Sequence, residues 1–219
     1  MRALLTVLAL LVAALPCAAE TTSLTGGMTG GIGQPPAVGA DLSGSLTVGL
    51  DGDRVRMTVS GVITPAVAAA FIGALDAAPA GRPVLVELDS PGGFVKAGYA
   101  MIDAMMRHRA DGRRIDTLVH AGDTCESMCV GVFMAGLTRA AEPGAWFMVH
   151  APRDDRTGTM TLRTTQGMIN RLLGLGASPS WMRAVVDQGG FSGRLDYGTR
   201  AEALFAAEAN VVTTLVAIR

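Results

Sequence analysis

The stretch Leu85-Val86-Glu87-Leu88-Asp89-Ser90-Pro91-Gly92-Gly93-Phe94-Val95 decides the fold. A short apolar run stops at Ser-Pro-Gly-Gly, and a pattern of helical period begins straight after it. Val84 to Leu88 has the length and composition of a buried strand. Pro91 fixes its own φ, and the glycine pair reaches φ values that other residues avoid. At Gly93 no side chain shields the backbone N–H, so a substrate oxygen can approach it near the positive end of the following helix. These are the requirements for one half of an oxyanion hole. Taken alone, the tetrapeptide reads first as a plain turn, because Pro and Gly mark turns everywhere.

Working upstream, Gly61-Val62-Ile63-Thr64-Pro65 leads into an Ala-rich helix over Ala66–Ala77, with Thr64 as N-cap and Pro65 at the first helical position. Before it, Leu46–Val48 and Val55–Val59 alternate around Asp51-Gly52-Asp53, the pattern of a hairpin. Strand, helix, strand, glycine turn and helix make a βαβ crossover, which predicts an α/β fold with a parallel sheet. Downstream, a helix runs from about Val95 to Arg107, and Met101, Ile102, Met105 and Met106 form its apolar face. Arg107, His108, Arg109, Arg113 and Arg114 read as its solvated, dipole-compatible end. A strand at Ile115–Val119 and a buried helix over Cys125–Met134 come next. Ala145–His150 reads as another strand, Thr161–Leu173 as an amphipathic segment, and Ser178 as the cap of a helix reaching about Val186. Gln188–Gly193 is a glycine-rich loop, followed by a helix over Ala201–Ala209 and a last strand within Val211–Val216.

The chain has 219 residues, a net charge of −1 and no basic excess, which argues against nucleic acid as a partner. Arg2, the apolar run Ala3–Leu15 and Pro16-Cys17-Ala18-Ala19 read as a signal peptide over residues 1–19, cleaved before Glu20. The run is short of the roughly 20 residues that a membrane span requires. A lipid-anchored Cys17 is the other reading, disfavoured by Pro16. Residues 20–42, rich in Gly, Thr and Pro, read as a flexible lead-in, and residues 43–219 as one domain. The expected location is periplasmic or secreted, with no membrane attachment after cleavage.

Ser127 sits at a strand–turn–helix junction, where a hydroxyl projects at the end of the sheet beside the helix's first N–H groups. The Met128 N–H is then a second oxyanion donor beside Gly93. A serine hydroxyl is a weak nucleophile that needs a base, and His150 closes a strand farther along. Strand ends on one side of a parallel sheet converge, which brings Gly93, Ser127 and His150 toward one place. The carboxylate that orients the imidazole is read as Asp196, with Asp187, Asp123 and Asp154 behind it. Each residue also has a plainer reading: a Ser at a helix start is an N-cap, and a His at a strand end is structural. The chain lacks Gly-x-Ser-x-Gly, since Cys125 and Cys129 stand at the flanking positions.

Ser90-Pro91-Gly92-Gly93, Glu126-Ser127-Met128 with Val132-Phe133-Met134-Ala135-Gly136, and Phe147-Met148-Val149-His150-Ala151-Pro152 resemble, in that order and spacing, the proteolytic subunit of the Clp protease. The resemblance covers about Val55 to the C-terminus. Cys125-x-Ser127-x-Cys129 with Pro143-Gly144-Ala145 resembles an exported branch of such proteins. The resemblance implies a crotonase-like ββα superhelix with Ser127 as nucleophile, His150 as base, and Gly93 and Met128 as oxyanion donors. It places the third member at Leu195 or Asp196, depending on a one-residue gap. It also implies a peptide or protein substrate, a homo-oligomer and an oligomer-forming segment at Thr161–Leu173. No ATPase partner is expected for an exported protein, and no cofactor or metal is called for; two thiols without a nearby histidine pair do not make a zinc site.

Cys125 and Cys129 suit a disulfide in an oxidising compartment. In regular helix their Cα atoms would lie about 6 Å apart, near the upper end of the bridging range; a Cys125 still in the turn would bridge more easily. Two small buried residues, or a thiol nucleophile at Cys125, are the other readings. The expected function is an ATP-independent serine peptidase-like hydrolase acting through Ser127. The alternative is an inactive Clp-like oligomeric binding or scaffold protein, with a crotonase-type acyl-CoA enzyme a distant third.

Overall fold

The computed structural model describes residues 27–29, 43–154 and 157–217. The signal peptide read over residues 1–19 and most of the 20–42 lead-in lie outside the described residues. One part of that lead-in does carry structure: Gly27–Thr29 forms a short strand, β1.

Strands β2 (Gly44–Asp51) and β3 (Arg54–Gly61) pair antiparallel. Gly52 makes the reversal at φ 61°, a value the tight hairpin turn requires. Helix α1 (Pro65–Ala77) starts where Thr64 accepts the Val67 N–H at 3.1 Å, with Pro65 in the first turn. Strand β4 (Val84–Asp89) returns parallel to β3, helix α2 (Val95–Ala110) follows, and β5 (Ile115–Val119) lies parallel to β4. The crossover expected from the sequence is therefore present.

The remaining elements are β6 (Thr124–Glu126), α3 (Met128–Met134), β7 (Arg139–Ala141), β8 (Trp146–Val149), α4 (Leu162–Gly174), α5 (Pro179–Asp187), β9 (Asp196–Arg200), α6 (Ala201–Ala206) and β10 (Thr214–Leu215). They complete two sheets. The larger runs β2-β3-β4-β5-β7-β10 and is parallel except at β2–β3; the smaller runs β6-β8-β9-β1. In the smaller sheet β6 and β8 are parallel, while β9 runs antiparallel to both its neighbours.

The core lies between the sheets and α1, α2 and α3. Strand residues Met57, Val59, Val86 and Leu88 meet Phe71 and Leu75 of α1 and Met101, Ile102 and Met105 of α2, all essentially without solvent contact. Met106 lies off that face and is exposed. Every residue of α3 is buried, so its terminal carbonyls need internal donors. Thr117 Oγ1 donates to Phe133 O at 2.8 Å and Arg109 Nη1 to Ala135 O at 2.8 Å. Arg113 likewise donates to Leu75 O and Ala78 O at the end of α1. The arginine cluster read as a solvated helix end is thus partly a set of clamps on neighbouring helix termini. Arg139 is buried and ties the C-terminal segment, donating to Val211 O at 2.9 Å and Asn210 O at 2.7 Å.

The structure differs from expectation at four other places, the first being strand β7, which the sequence reading did not contain. Thr124–Glu126 is strand, and the helix starts only at Met128, because Thr124, Cys125 and Glu126 pair with Trp146, Phe147 and Met148 of β8. Asp196–Arg200 is a strand inside a region without alternating apolar residues. The final helix stops at Ala206, where Glu208 and Asn210 take positive φ (49° and 53°).

Candidate active site

Beyond β4, the segment Ser90–Gly93 is held from two sides. Ser90 bridges Cys125: the Ser90 N–H donates to Thr124 O at 2.7 Å, and the Glu126 N–H donates to Ser90 O at 2.9 Å. Gly93 bridges Ile63: the Ile63 N–H donates to Gly92 O at 2.8 Å, and the Phe94 N–H donates to Ile63 O at 3.0 Å. Inside the turn, the buried Ser90 hydroxyl accepts the Gly92 N–H at 3.0 Å. Because Ile63 is served by the residues on either side of Gly93, the N–H of Gly93 itself faces away from Ile63, as ladder alternation requires. Among the described residues this N–H has no acceptor.

The close approach needs glycine. Gly92 has φ 96°, and a Cβ there would lie 2.7 Å from Glu126 O, 2.8 Å from Ser127 Cβ and 3.0 Å from Met128 N. Gly92 is thus the backbone neighbour of the serine turn; the sequence reading gave the glycine pair its φ freedom and the close approach to Gly93. The double glycine was the available signal.

Ser127 joins β6 to α3 with φ 53° and ψ −118°. An L-residue holds such a conformation at a cost of roughly 1–3 kcal/mol, so the surroundings must impose it. A strained strand-to-helix turn of this kind lifts a hydroxyl clear of both elements. The Ser127 N–H donates to Met148 O at 2.7 Å, and Ser127 O accepts the Val130 N–H at 3.1 Å. Met128 is the first helical residue, and its N–H has no acceptor among the described residues. Its side chain is fully buried in a notch made by glycine: a Cβ on Gly98 would lie 2.1 Å from Met128 Cγ. Packing on α2 therefore fixes the residue whose N–H stands beside the serine.

His150 follows the last residue of β8, and Asp196 opens β9. The register pairs Val149 with Tyr197, so its next step sets His150 against Asp196. On the other side of β8, Glu126 pairs with Met148, so Ser127 and His150 leave paired strands at the same end. Burial lowers the His150 pKa from 6.5, opposed first by the Asp196 carboxylate and then by a backbone hydrogen bond to Ala151; Arg153 also lowers it, and Glu126 raises it. The influence of Glu126 on the ring escaped the sequence reading. Among the described residues no hydrogen bond joins the Ser127 hydroxyl, the His150 ring and the Asp196 carboxylate, so the structure gathers these groups without linking them. The other aspartates point elsewhere. Asp154 accepts the Thr157 N–H and hydroxyl at 2.9 and 3.0 Å. Asp123 sits by Asp89, His120 and Glu142, and its pKa is raised, first by burial. Asp187 is exposed at the end of α5. A serine hydroxyl, an imidazole kept toward its neutral form and two unpaired N–H groups can together carry out acyl transfer.

The Clp protease family model matches residues 53–171, more than half of the chain. The chain belongs to the Clp protease family. In this Clp family member the match runs from the hairpin into α4 and includes Gly93, Ser127, Met128 and His150. Asp196 lies beyond it, and its proximity to His150 comes from the β8–β9 pairing alone.

This Clp family chain also carries a covalent feature at the serine. Cys125 and Cys129 are joined by a disulfide, with Cα atoms 5.2 Å apart, and both are fully buried. Cys125 lies in β6, not in the helix, so the bridge spans strand end to first helical turn.

Proposed function

We propose that the protein is an exported, ATP-independent serine peptidase. The observation that carries this reading is the convergence of Ser127, in its strained turn, with His150 and Asp196 at one end of the smaller sheet. Ser127 Oγ attacks the scissile carbonyl while His150 takes its proton. The developing oxyanion accepts the N–H groups of Gly93 and Met128. Asp196 orients the imidazole and stabilises its protonated form. Collapse of the tetrahedral intermediate expels the amine, which takes the proton back from His150, and water then hydrolyses the acyl-enzyme by the same steps. The substrate is a peptide or protein, and the working form a homo-oligomer, as is usual in the family. Export rests on the sequence of residues 1–19; among the described residues no helix is long and apolar enough to cross a membrane.

The reading is tested with a fluorophosphonate probe on the folded protein. Wild type is expected to be labelled, and Ser127→Ala and His150→Ala are not. Labelling that survives Ser127→Ala would identify another nucleophile. An inert wild type would favour the second reading, a non-catalytic oligomeric scaffold. That reading draws on the missing hydrogen bonds among the three side chains, although such bonds are often long before substrate binds.

The histidine sets the pH dependence. A base works in its neutral form, and His150 has its pKa lowered below 6.5. The rate is expected to be level through neutral pH and to fall as pH drops through that lowered value. Stability moves the same way: the unfolded chain binds this proton first, so the contribution of neutral His150 is present above 6.5 and lost on acidification. A probe-labelling rate measured from pH 4 to 8 checks the sign; a rate that rises on acidification would exclude His150 as the base.

A further inference from the structure

We infer that the Cys125–Cys129 disulfide is the positioning element of the serine turn, so that the site becomes competent only when these two thiols are oxidised. The inference rests on the reading of Ser127 as nucleophile. The ring closed by the bridge contains Glu126, Ser127 and Met128, hence both the attacking hydroxyl and one of the two N–H groups that face its oxyanion. One end of the ring is fixed in the sheet, where Cys125 pairs with Phe147 and bridges Ser90. The other end is fixed in α3, all of whose residues are buried.

Between those ends the bridge is the one covalent link across the serine, beside backbone bonds and the packing of Met128 on α2. Helix α3 has no side-chain cap, so the Ser127 hydroxyl is not spent on its own helix. Three backbone bonds act between them, from Glu126 N–H to Ser90 O, from Ser127 N–H to Met148 O and from Val130 N–H to Ser127 O. Relaxation of Ser127 out of φ 53° would swing its hydroxyl and tilt the Met128 N–H. The bridge opposes that relaxation by fixing the span across the serine.

Both sulfur-bearing residues are fully buried, which shields the bond from soluble reductant in the folded protein. Oxidation therefore belongs to folding. One thiolate attacks a disulfide oxidant, such as oxidised glutathione, and expels a thiol. The second thiolate attacks the resulting mixed disulfide and expels the other, so the protein gives up two electrons and two protons and the oxidant leaves as two thiols. A chain folded under reducing conditions keeps its fold and a slack site; one folded in an oxidising compartment has a fixed one.

The experiment measures the maximal rate and half-saturating concentration of fluorophosphonate labelling for three forms: oxidised wild type, wild type refolded in dithiothreitol, and Cys125→Ala/Cys129→Ala. Circular dichroism and thermal unfolding report whether each is folded. The expected result is a maximal rate lowered about a hundredfold in the reduced and double-Ala forms with half-saturation unchanged, in line with displacement of a reacting group by about 1 Å. Refolding with oxidised glutathione should restore wild type and leave the double variant slow. Equal rates in folded reduced and oxidised wild type would overturn the inference. So would a reduced wild type and a double variant that both fail to fold, since the bridge would then serve the whole domain. If only the variant misfolds, the reduced wild type decides. No labelling of the oxidised wild type would instead remove the nucleophile reading on which the inference stands.

Discussion

Ser127→Ala is expected to lower the turnover of a cleavable peptide by about a million-fold, and His150→Ala by a similar factor, because groups that act as one unit are not additive. The double variant should be no slower than either single one. Removal of the hydroxyl leaves no atom to form the acyl-enzyme, while the Gly93 and Met128 N–H groups remain to polarise a bound carbonyl. A residual rate some 10³–10⁴ above the uncatalysed reaction is therefore expected. Asp196→Asn should cost less, about ten thousand-fold, through misorientation of the imidazole. The Ser127 hydroxyl and the Asp196 carboxylate form no hydrogen bond within the described structure, so thermal unfolding should change little in Ser127→Ala and Asp196→Asn. His150 is largely buried and hydrogen-bonded to the Ala151 backbone, so His150→Ala is expected to lose some stability. The measurement is kcat on oxidised, folded protein. Losses from Ser127→Ala and His150→Ala that multiply in the double variant would mean that the two residues do not work together.

Gly93→Ala is expected to cost about 3 kcal/mol or more of stability, because two penalties coincide. The residue sits at φ 155°, and a Cβ would lie 2.3 Å from Ile63 O and 2.7 Å from Ile63 N. Those atoms are backbone, held in the bridge through Gly92 O and Phe94 N–H, and cannot swing aside. For a chain of this size the loss corresponds to a fall in Tm of roughly 6–12 °C. Gly112→Ala is the control: φ is 86° there, but a Cβ meets nothing within 4 Å. Its cost should be only the conformational one, about 1 kcal/mol. Thermal unfolding of both variants gives the comparison, and equal shifts would show that contact with Ile63 does not limit the position.

Much of this was legible in the chain. The crossover through β4 announced itself by a strand-length apolar run ending in Pro-Gly-Gly, and Thr64 and Ser178 marked helix starts because their side chains cap backbone N–H groups that would otherwise go unpaired. The smaller sheet was harder. Strand β6 is three residues long and β9 reads Asp-Tyr-Gly-Thr-Arg, so neither has the alternation that reveals a strand. Their pairing is tertiary, set by β8 between them. That explains why the sequence left Asp196 and Leu195 as alternatives: the register that sets Asp196 against His150 is not written locally. The arginines after α2 were opaque for a related reason: a guanidinium clamped on a distant helix terminus has the same sequence signature as one in water.

The link between Ser90 and Cys125 has a mechanical meaning. Gly93, the proposed first oxyanion donor, belongs to a loop of the larger sheet, while Ser127 and Met128, the proposed nucleophile and second donor, follow a strand of the smaller one, and that short bridge stitches the two together. Under the proposed chemistry, turnover acts as a vernier on their alignment. A slip of a fraction of an ångström along the stitch would separate donor from oxyanion while leaving each sheet's own ladder, and nearly all of the buried core, undisturbed.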